Sequence, residues 1–326
     1  MSTKDEILKY LQKNNHYVSG EELSKQLLVS RTAIWKNINT LRSCGYEIDS
    51  MTNRGYILVS SPDIITPELI ASGLQTKSLA KKVFCYGSID STNEEAKRQA
   101  LADAPDGSLF IAEQQVGGKG RLGRVFSSPS GMGLWFSVLL RSSQLPLQVT
   151  NITLLAGLAV CRAIRSLTNV PALIKWPNDV VIDGKKVCGI LTEMAAEIDR
   201  IEYVIVGIGV NVNTESFPSD LSVKATSLRI ECDHPILRVP LLQEILREFE
   251  KILNDYPFDP EASLAEYKAL CVTLTRKVGF SRNNEQVTAT AVDISPGGEL
   301  IVQCENGELI PINAGEVTVQ GIYGQK

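Results

Sequence analysis

The sequence predicts an α+β chain in three parts: a winged helix-turn-helix over residues 1–62, a mixed α/β domain over 63–270, and a small β-barrel of SH3-like size over 271–326. Three observations carry this division. Within the first sixty residues, short amphipathic helices with capping signals are followed by two extended runs. From Pro62 to Leu270, strands and amphipathic helices mix. From Thr273 onward only short extended runs remain, with turns at Pro296-Gly297-Gly298 and Asn306-Gly307.

Ile7, Leu8 and Leu11 form one face of a first helix, which ends before Asn14-Asn15. Ser19, with Glu22 three residues on, is a capping box, and Leu23 and Leu27 are the stripe of the helix it opens. Leu28-Val29 make the turn and Ser30 caps a third helix, in which Ile34, Ile38 and Leu41 recur before Gly45. Two short helices across a tight turn, at about residues 20–39, are the helix-turn-helix pattern. Tyr46–Ile48 and Gly55–Val59 are then the strands of a wing, joined by a polar loop from Asp49 to Arg54. Arg31, Thr32, Lys36 and Asn37 lie opposite Ile34 and Ile38, where a helix in the major groove meets phosphates and base edges. Arg54 at the wing tip reaches an adjacent phosphate. A protein-interaction module would show a similar solvated face, but the wing and both caps favour DNA.

Total charge alone argues against a nucleic-acid binder, with 33 Lys+Arg against 37 Asp+Glu and a net of −4. The total averages two different regions. Residues 1–60 carry eight basic and six acidic side chains, and the acidic excess lies in the rest. So weakly basic a head binds DNA poorly as one copy, and specific binding is expected from a dimer. With 44% hydrophobic and 21% charged residues, and 24 Gly and 14 Pro without period, collagen-like and disordered classes are excluded. The charged start Lys4-Asp5-Glu6 does not suit a secretory signal. The uncharged stretch Ser142–Cys161 holds too many polar residues to span a membrane, and from Val149 to Leu167 it has the spacing of a core helix. Cysteines at 44, 85, 161, 188, 232, 271 and 304 show no metal-ligand spacing, so free thiols in a reducing cytoplasm are expected. With only His16 and His234, neither a histidine metal site nor a His-based relay is expected.

The central part carries the chemistry. A strand at Val83–Tyr86 leads to Ser91-Thr92-Asn93 and a helix from Glu94 to about Ala102. Alone, that corner is an ordinary helix cap. Leu109–Ala112 is a strand running into Gln115 and then Gly117–Arg124, where four glycines and three cations (Lys119, Arg121, Arg124) occupy eight residues. Glycines let backbone N–H groups turn to an anion and the cations add charge, so a phosphate clamp is favoured over a plain surface loop. No helix can follow across Phe126-Ser127-Ser128-Pro129, which excludes a Walker loop and a dinucleotide fingerprint. Gly133–Leu140 is a buried strand. Lys175-Trp176-Pro177-Asn178-Asp179 leads into a hairpin turning at Asp183-Gly184, with Lys186 at the start of the return strand and Gly189 three residues on. In Tyr203–Asn213, alternate positions read Val204, Val206, Ile208, Val210, Val212 on one face and Ile205, Gly207, Gly209, Asn211, Asn213 on the other. A strand face bare at two glycines suits a flat ligand lying across them with its polar edge at Asn211, or else a bend or bulge. Helices at Val239–Leu253 and Ala262–Leu270 follow. The C-terminal runs are Lys277–Ser281, Gln286–Ile294, Leu300–Cys304, Glu308–Ile312 and Glu316–Gln320.

In this order, Ser91-Thr92-Asn93, Gln115, Gly118-Lys119-Gly120-Arg121, Lys175–Asp179, Lys186–Leu191 and Gly207–Asn211, behind a winged helix and before a small barrel, resemble the biotin protein ligase family in its bifunctional ligase/repressor branch. The resemblance covers nearly the whole chain. It implies a catalytic domain of the class II synthetase-like biotin/lipoate ligase type. Biotin and MgATP would form biotinyl-5′-AMP, and biotin would pass to a lysine of the biotin carboxyl carrier domain of acetyl-CoA or pyruvate carboxylase. Biotinyl-AMP would also act as co-repressor, driving a homodimer onto operator DNA. By position, Ser91, Thr92, Asn93, Gln115, Lys119, Gly120, Arg121 and Lys186 would hold biotin. Arg121, Arg124, Phe126, Asn178, Lys186 and Asn211 would hold the nucleotide, and Lys186, Arg121 and Asp179 would carry the chemistry, with no fixed protein metal site. Two positions depart from the family pattern: Lys119 replaces an Arg, keeping charge without the planar fork, and Phe126 replaces a Trp. A ligand-sensing repressor without ligase activity and a lipoate ligase are the alternatives. Lys186 and Arg121 count against the first, and the winged helix with the Lys-Trp-Pro-Asn-Asp match counts against the second.

Overall fold

The computed structural model describes residues 3–43, 45–60, 62–141, 149–197, 200–282, 285–313 and 317–324. Cys44, Ser61, the stretch 142–148 and Glu316 lie outside the described residues. The chain divides into two compact units, Met1–Ile64 and Ile65–Lys326.

The first unit holds α1 (Thr3–Lys13), α2 (Gly20–Leu27), α3 (Arg31–Ser43), β1 (Glu47–Met51) and β2 (Gly55–Ser60) around Ile7, Leu11, Leu23, Ile34, Ile38, Leu41 and Ile48. Ser19 Oγ accepts the Glu22 N–H at 3.0 Å, and Ser30 Oγ accepts that of Ala33 at 3.2 Å, as the capping signals require. The Glu22 carboxylate accepts the Tyr10 hydroxyl at 2.9 Å, which ties α2 to α1. The hairpin differs from expectation in one respect: Asp49, Ser50 and Met51 continue β1, pairing with Ile57, Tyr56 and Gly55. Beyond Ile48 the residues of β1 are exposed, so polar side chains there do not mark the end of the strand.

The second unit is built on a seven-stranded sheet. Its strands are β3 (Val83–Ile89), β4 (Leu109–Gln115), β5 (Gly133–Leu140), β6 (Leu173–Lys175), β7 (Asp179–Ile182), β8 (Lys185–Glu197) and β9 (Arg200–Asn211), in the order β3-β4-β5-β9-β8-β7-β6. β3 and β4 are parallel because α5 (Thr92–Leu101) crosses between them; the other neighbours are antiparallel. α5 covers one face over Phe110, Leu139 and Ile205. The opposite face packs on α6 (Val149–Thr168), α8 (Arg238–Asp255) and α9 (Pro260–Leu270). Every residue of β5 is therefore buried. α5 begins at Thr92, two residues before the expected start, with Ser91 as its cap. The sequence reading did not pick out α4 (Pro67–Gly73) or α7 (Leu228–Cys232), although Thr66-Pro67 and Ser227 are plain start signals.

The last strands are β10 (Lys277–Arg282), β11 (Glu285–Ile294), β12 (Leu300–Gln303), β13 (Leu309–Ile312) and β14 (Thr318–Val319), in an open sheet ordered β13-β12-β11-β10-β14. The expected barrel is not closed among the described residues, and β14, with two residues, is too short to seam a ring. Nor does this sheet keep a separate core: Val278, Ala291 and Ile312 join one cluster with Ile152, Trp176 and Val206.

Glu250 on α8 closes the edge of this unit. Its carboxylate accepts the N–H groups of Lys77 (2.7 Å), Ser78 (2.6 Å) and Leu79 (2.9 Å) and the Ser78 hydroxyl (2.7 Å). Burial pushes the carboxyl up, but the hydrogen bonds outweigh burial and hold it below its ordinary value. Such a group stabilises the fold above its unfolded pKa, and the contribution is lost as pH falls through the folded value. Glu250→Gln is expected to cost about 2 kcal/mol at pH 7, and the gap in melting temperature from wild type should shrink steadily below about pH 4.5.

Candidate active site

The site begins on one face of β9. Running along it, Ile205 is core beneath α5, Gly207 faces the Asn93 side chain, and Gly209 faces the Phe126 ring. A Cβ at Gly207 would fall inside contact distance of Asn93 Oδ1, and one at Gly209 would lie 2.5 Å from Phe126. The bare face thus receives two side chains of the protein itself. Cross-strand pairing puts Gly189 of β8 beside Gly209, where a Cβ would meet Lys186 Nζ at 2.7 Å. The glycine pair is the floor under Phe126 and Lys186.

At the other end of this face, the N-terminus of α5 meets the C-terminal ends of β3 and β4. Ser91, Thr92 and Asn93 are buried. Gln115 Oε1 accepts the Thr92 N–H (2.8 Å) and hydroxyl (3.1 Å), while Gln115 Nε2 donates to Ser128 Oγ (2.8 Å). Ser137 Oγ lies 2.7 Å from Thr92 Oγ1 and 2.6 Å from Asn93 Oδ1, and Asn93 Nδ2 donates to Glu193 Oε2 at 2.8 Å. The result is a small polar chamber of donors and acceptors whose geometry is fixed before any ligand arrives.

The basic glycine loop spans this chamber. Gly117 N–H bonds Asp90 O (2.8 Å) and Phe126 N–H bonds Gly118 O (2.9 Å), so both ends are pinned. The loop turns at Arg121–Gly123, with Leu122 in the left-handed region. Lys119 is exposed and ion-paired with Glu94 of α5 at 2.8 Å. Arg121 Nη1 donates to Asn178 Oδ1 at 3.0 Å, and the Asn178 amide donates to Ile190 O at 2.9 Å.

Asp179 opens β7 and is 8% exposed. Lys186 Nζ lies 2.6 Å from its Oδ1, a charge contact rather than an aligned hydrogen bond, since Oδ1 accepts no bond of good geometry. Tyr323 Oη donates to Oδ2 at 2.6 Å. Burial pushes the Asp179 carboxyl up, but the Lys186 and Lys175 charges and the bond from the Tyr323 hydroxyl overcome this and hold it below the usual range. Lys186 Nζ also stands 5.8 Å from the Phe126 ring centre.

These residues line two adjoining clefts. The inner one, about 450 Å³ counting space open to solvent, holds Ser91, Thr92, Asn93, Gln115, Lys119, Gly120, Arg121 and Lys186, the whole set expected around biotin. The outer one, about 1220 Å³ on the same measure, holds Arg121, Arg124, Phe126, Asn178, Asp179 and Lys186 of the nucleotide and catalytic set. Gly120, Arg121, Phe126, Asn178 and Lys186 belong to both walls. Asn211 lines neither; its amide donates to Thr226 O at 3.1 Å. Sequence reasoning missed Ser137, Glu193 and Tyr323. Ser137 and Glu193 pack across strands, and Tyr323 comes from the far end of the chain, so local pattern gives no signal for them. In the first unit, Arg31, Thr32, Lys36 and Arg54 are all exposed, as expected; Arg31 is paired with Glu21 at 2.5 Å, and Asn37 is half-buried. Trp35, beside Lys36, is 58% exposed and was not singled out.

Fold and site define a helix-turn-helix unit joined to a ligase of the biotin/lipoate type. Residues 3–57 match the HTH domain model, 86–211 the biotin/lipoate A/B protein ligase family and 276–319 the biotin protein ligase C-terminal domain. The chain is 39% identical over 310 residues, 93% of its length and 94% of the relative's, to the bifunctional ligase/repressor BirA of Bacillus spizizenii. It is 27% identical over 311 residues, 94% of each chain, to the protein of the same name from Escherichia coli. Among solved structures, the biotin protein ligase from Aquifex aeolicus in complex with biotin and ATP is similar at 29% identity and a TM-score of 0.65, covering 74% of this chain and 99% of that one. The chain belongs to the biotin protein ligase family, in its bifunctional ligase/repressor branch.

Gly207→Ala tests the floor of the inner cleft. Its methyl must displace Asn93, and overpacking of this kind costs about 1–3 kcal/mol. On the expectation that the inner cleft takes biotin, calorimetry should show biotin affinity lowered at least about ten-fold. Gly157→Ala, where a Cβ meets nothing nearer than 3.7 Å, should leave affinity unchanged.

Proposed function

We propose that this chain joins biotin to ATP to give biotinyl-5′-AMP and pyrophosphate, transfers the biotinyl group to a lysine of a biotin carboxyl carrier domain of acetyl-CoA or pyruvate carboxylase, and represses biotin genes with the adenylate as co-repressor. One observation carries the reading most: the two clefts meet at a wall made of Arg121, Phe126, Asn178 and Lys186. A carboxylate entering from one side and an α-phosphate from the other would meet where the cations are.

In the first step a biotin carboxylate oxygen bonds to the α-phosphorus, and the bond to the pyrophosphate oxygen breaks with its electron pair. Two anions must approach. Lys186 and Arg121 offset that repulsion and stabilise the charge that builds on the phosphoryl oxygens. Thr92, Asn93 and Gln115 hold the biotin head, and Ser91 shapes the turn beside them. Arg124 and Phe126 flank the nucleotide, with Asn178 positioning Arg121; Asn211 supports the adenine end. Mg²⁺ would come with the ATP phosphates and would offset charge on the leaving pyrophosphate. Lys119 and Gly120 cover the mixed anhydride against water. In the second step the acceptor lysine, having given its ammonium proton to solvent, bonds through its neutral amine to the acyl carbon; the bond to the AMP phosphate oxygen breaks with its electron pair, and the amide nitrogen's surplus proton passes to solvent. Asp179, held ionised by the neighbouring Lys186 and Lys175 charges, orients the incoming lysine.

For the repressor role, α3 enters a major groove with Arg31, Thr32 and Lys36, and Arg54 holds a phosphate, in a homodimer assembled when adenylate orders the loops. We divide the chain into a DNA-binding head, 1–62, a ligase domain, 63–270, and an SH3-like C-terminal domain, 271–326. The described cysteines are free thiols, which supports a cytoplasmic protein, and no helix among the described residues is long and apolar enough to cross a membrane.

Biotin-dependent exchange of pyrophosphate into ATP tests the enzyme. Lys186→Ala is expected to slow it by about a hundred-fold or more, the size seen when one transition-state donor is removed, with the melting temperature little changed. Exchange near the wild-type rate would refute that role. Arg31→Ala with Lys36→Ala should weaken operator binding in a gel shift and flatten its salt dependence while biotinylation continues; equal loss of both activities would refute the division of labour.

A further inference from the structure

Asp179 is the buried carboxylate at the mouth of the outer cleft, and its two oxygens have different partners. Oδ1 meets Lys186 Nζ at 2.6 Å, while Oδ2 accepts the Tyr323 hydroxyl at 2.6 Å. Tyr323 is carried there by the C-terminal segment. Its backbone N–H bonds Gly184 O, at the turn between β7 and β8, at 2.9 Å. Lys175 Nζ stands 5.1 Å from the Tyr323 ring centre and donates to Val317 O at 3.3 Å. Tyr323 and Val317 thus reach the strands that hold Asp179, Lys186 and Lys175.

This matters for the reaction because Lys186 has two claims on it. At rest it is paired with Asp179. To meet a phosphate it must loosen that pair, and a buried carboxylate abandoned by its cation is strongly disfavoured unless other groups hold it. Tyr323 bonds the other carboxylate oxygen and the Lys175 charge also acts on Asp179, and neither hold depends on Lys186. The hydroxyl is a dependable donor, because burial and the Asp179 charge push its ionisation far up.

Resting on the ligase reading above, we propose that Tyr323 is a positioning residue for adenylate formation: its hydroxyl holds the Asp179 carboxylate so that Lys186 can pass from that carboxylate to the α-phosphate. Tyr323 touches neither substrate in this role; it acts through Asp179. The C-terminal segment is then part of the machinery that frees the catalytic cation.

The test is a double-mutant cycle on the full-length chain, read as biotin-dependent pyrophosphate exchange. Exchange by the wild type comes first, since its absence would sink the ligase reading itself. Given exchange, Tyr323→Phe keeps the ring over Lys175 and removes only the hydroxyl. It is expected to lower kcat about ten-fold, with KM for biotin unchanged and the melting curve close to wild type. In an Asp179→Asn background the same change should cost less than about two-fold. If that background is too slow to time, the cycle is read from affinity for a non-hydrolysable ATP analogue, with the same non-additivity expected. An undiminished kcat in Tyr323→Phe overturns the proposal, and so does a loss of equal size in both backgrounds, which would mean that the tyrosine acts on general packing.

Discussion

Strand β9 can lie against Asn93 at Gly207 and against the Phe126 ring at Gly209 only because neither position carries a Cβ, and much of the site depends on that absence. With side chains there, Asn93 would be pushed off the sheet and the hydrogen bonds through Ser137, Thr92 and Gln115 would lose their anchor. Phe126 would rise as well, taking with it the loop that ends at its N–H···O=C bond to Gly118. A glycine in a central strand normally weakens the sheet. Here the loss is offset by burial on both faces of β5 and by the long antiparallel pairing of β8 with β9.

On that floor the electrostatics are arranged as a resting state. Lys186 is ion-paired with Asp179, Lys119 with Glu94, and Arg121 is bonded to Asn178, so the cations of the loop and strands are held in place before an anion arrives. Each starts from a defined partner, so that only a short turn, as of Lys186 away from Asp179, separates it from an anion in the cleft. The Lys119 departure fits this arrangement. A lysine reaches Glu94 as a point charge and needs no planar fork to do so.

Most of the fold was legible where periodicity or capping is local. α1, α3, α6 and α8 show their core stripes, and the even positions of β9 are the core face that alternation implied. The first-turn residues of α5 and the glycine loop were legible as polar, glycine-rich corners. What filled the bare face was not. Alternation revealed that Gly207 and Gly209 share one face, but only the register of β8 on β9 brings Gly189 beside Gly209, and register is a property of two distant segments. For the same reason Ser137 and Tyr323 stayed hidden: one is a small polar residue inside a buried strand, the other an aromatic near the C-terminus. The open C-terminal sheet shows the opposite limit. Its runs and turns were plain, while closure depends on how end strands meet in space. A short, polar-flanked run such as Thr318-Val319 does not encode that.

The shared wall between the clefts has a consequence for selectivity. The polar chamber at Thr92 and the backbone that carries Lys186 belong to one sheet and the helix packed on it, so the span between them is bounded. On the proposed roles, a substrate gripped by its ring at one end must bring its carboxylate to the other, and the protein becomes a ruler for the acyl chain. Discrimination between homologous acids then operates through reach as well as affinity. An analogue shorter by a methylene or two can satisfy the chamber fully and still leave its carboxylate stranded short of the phosphate, occupying the site as an unreactive guest.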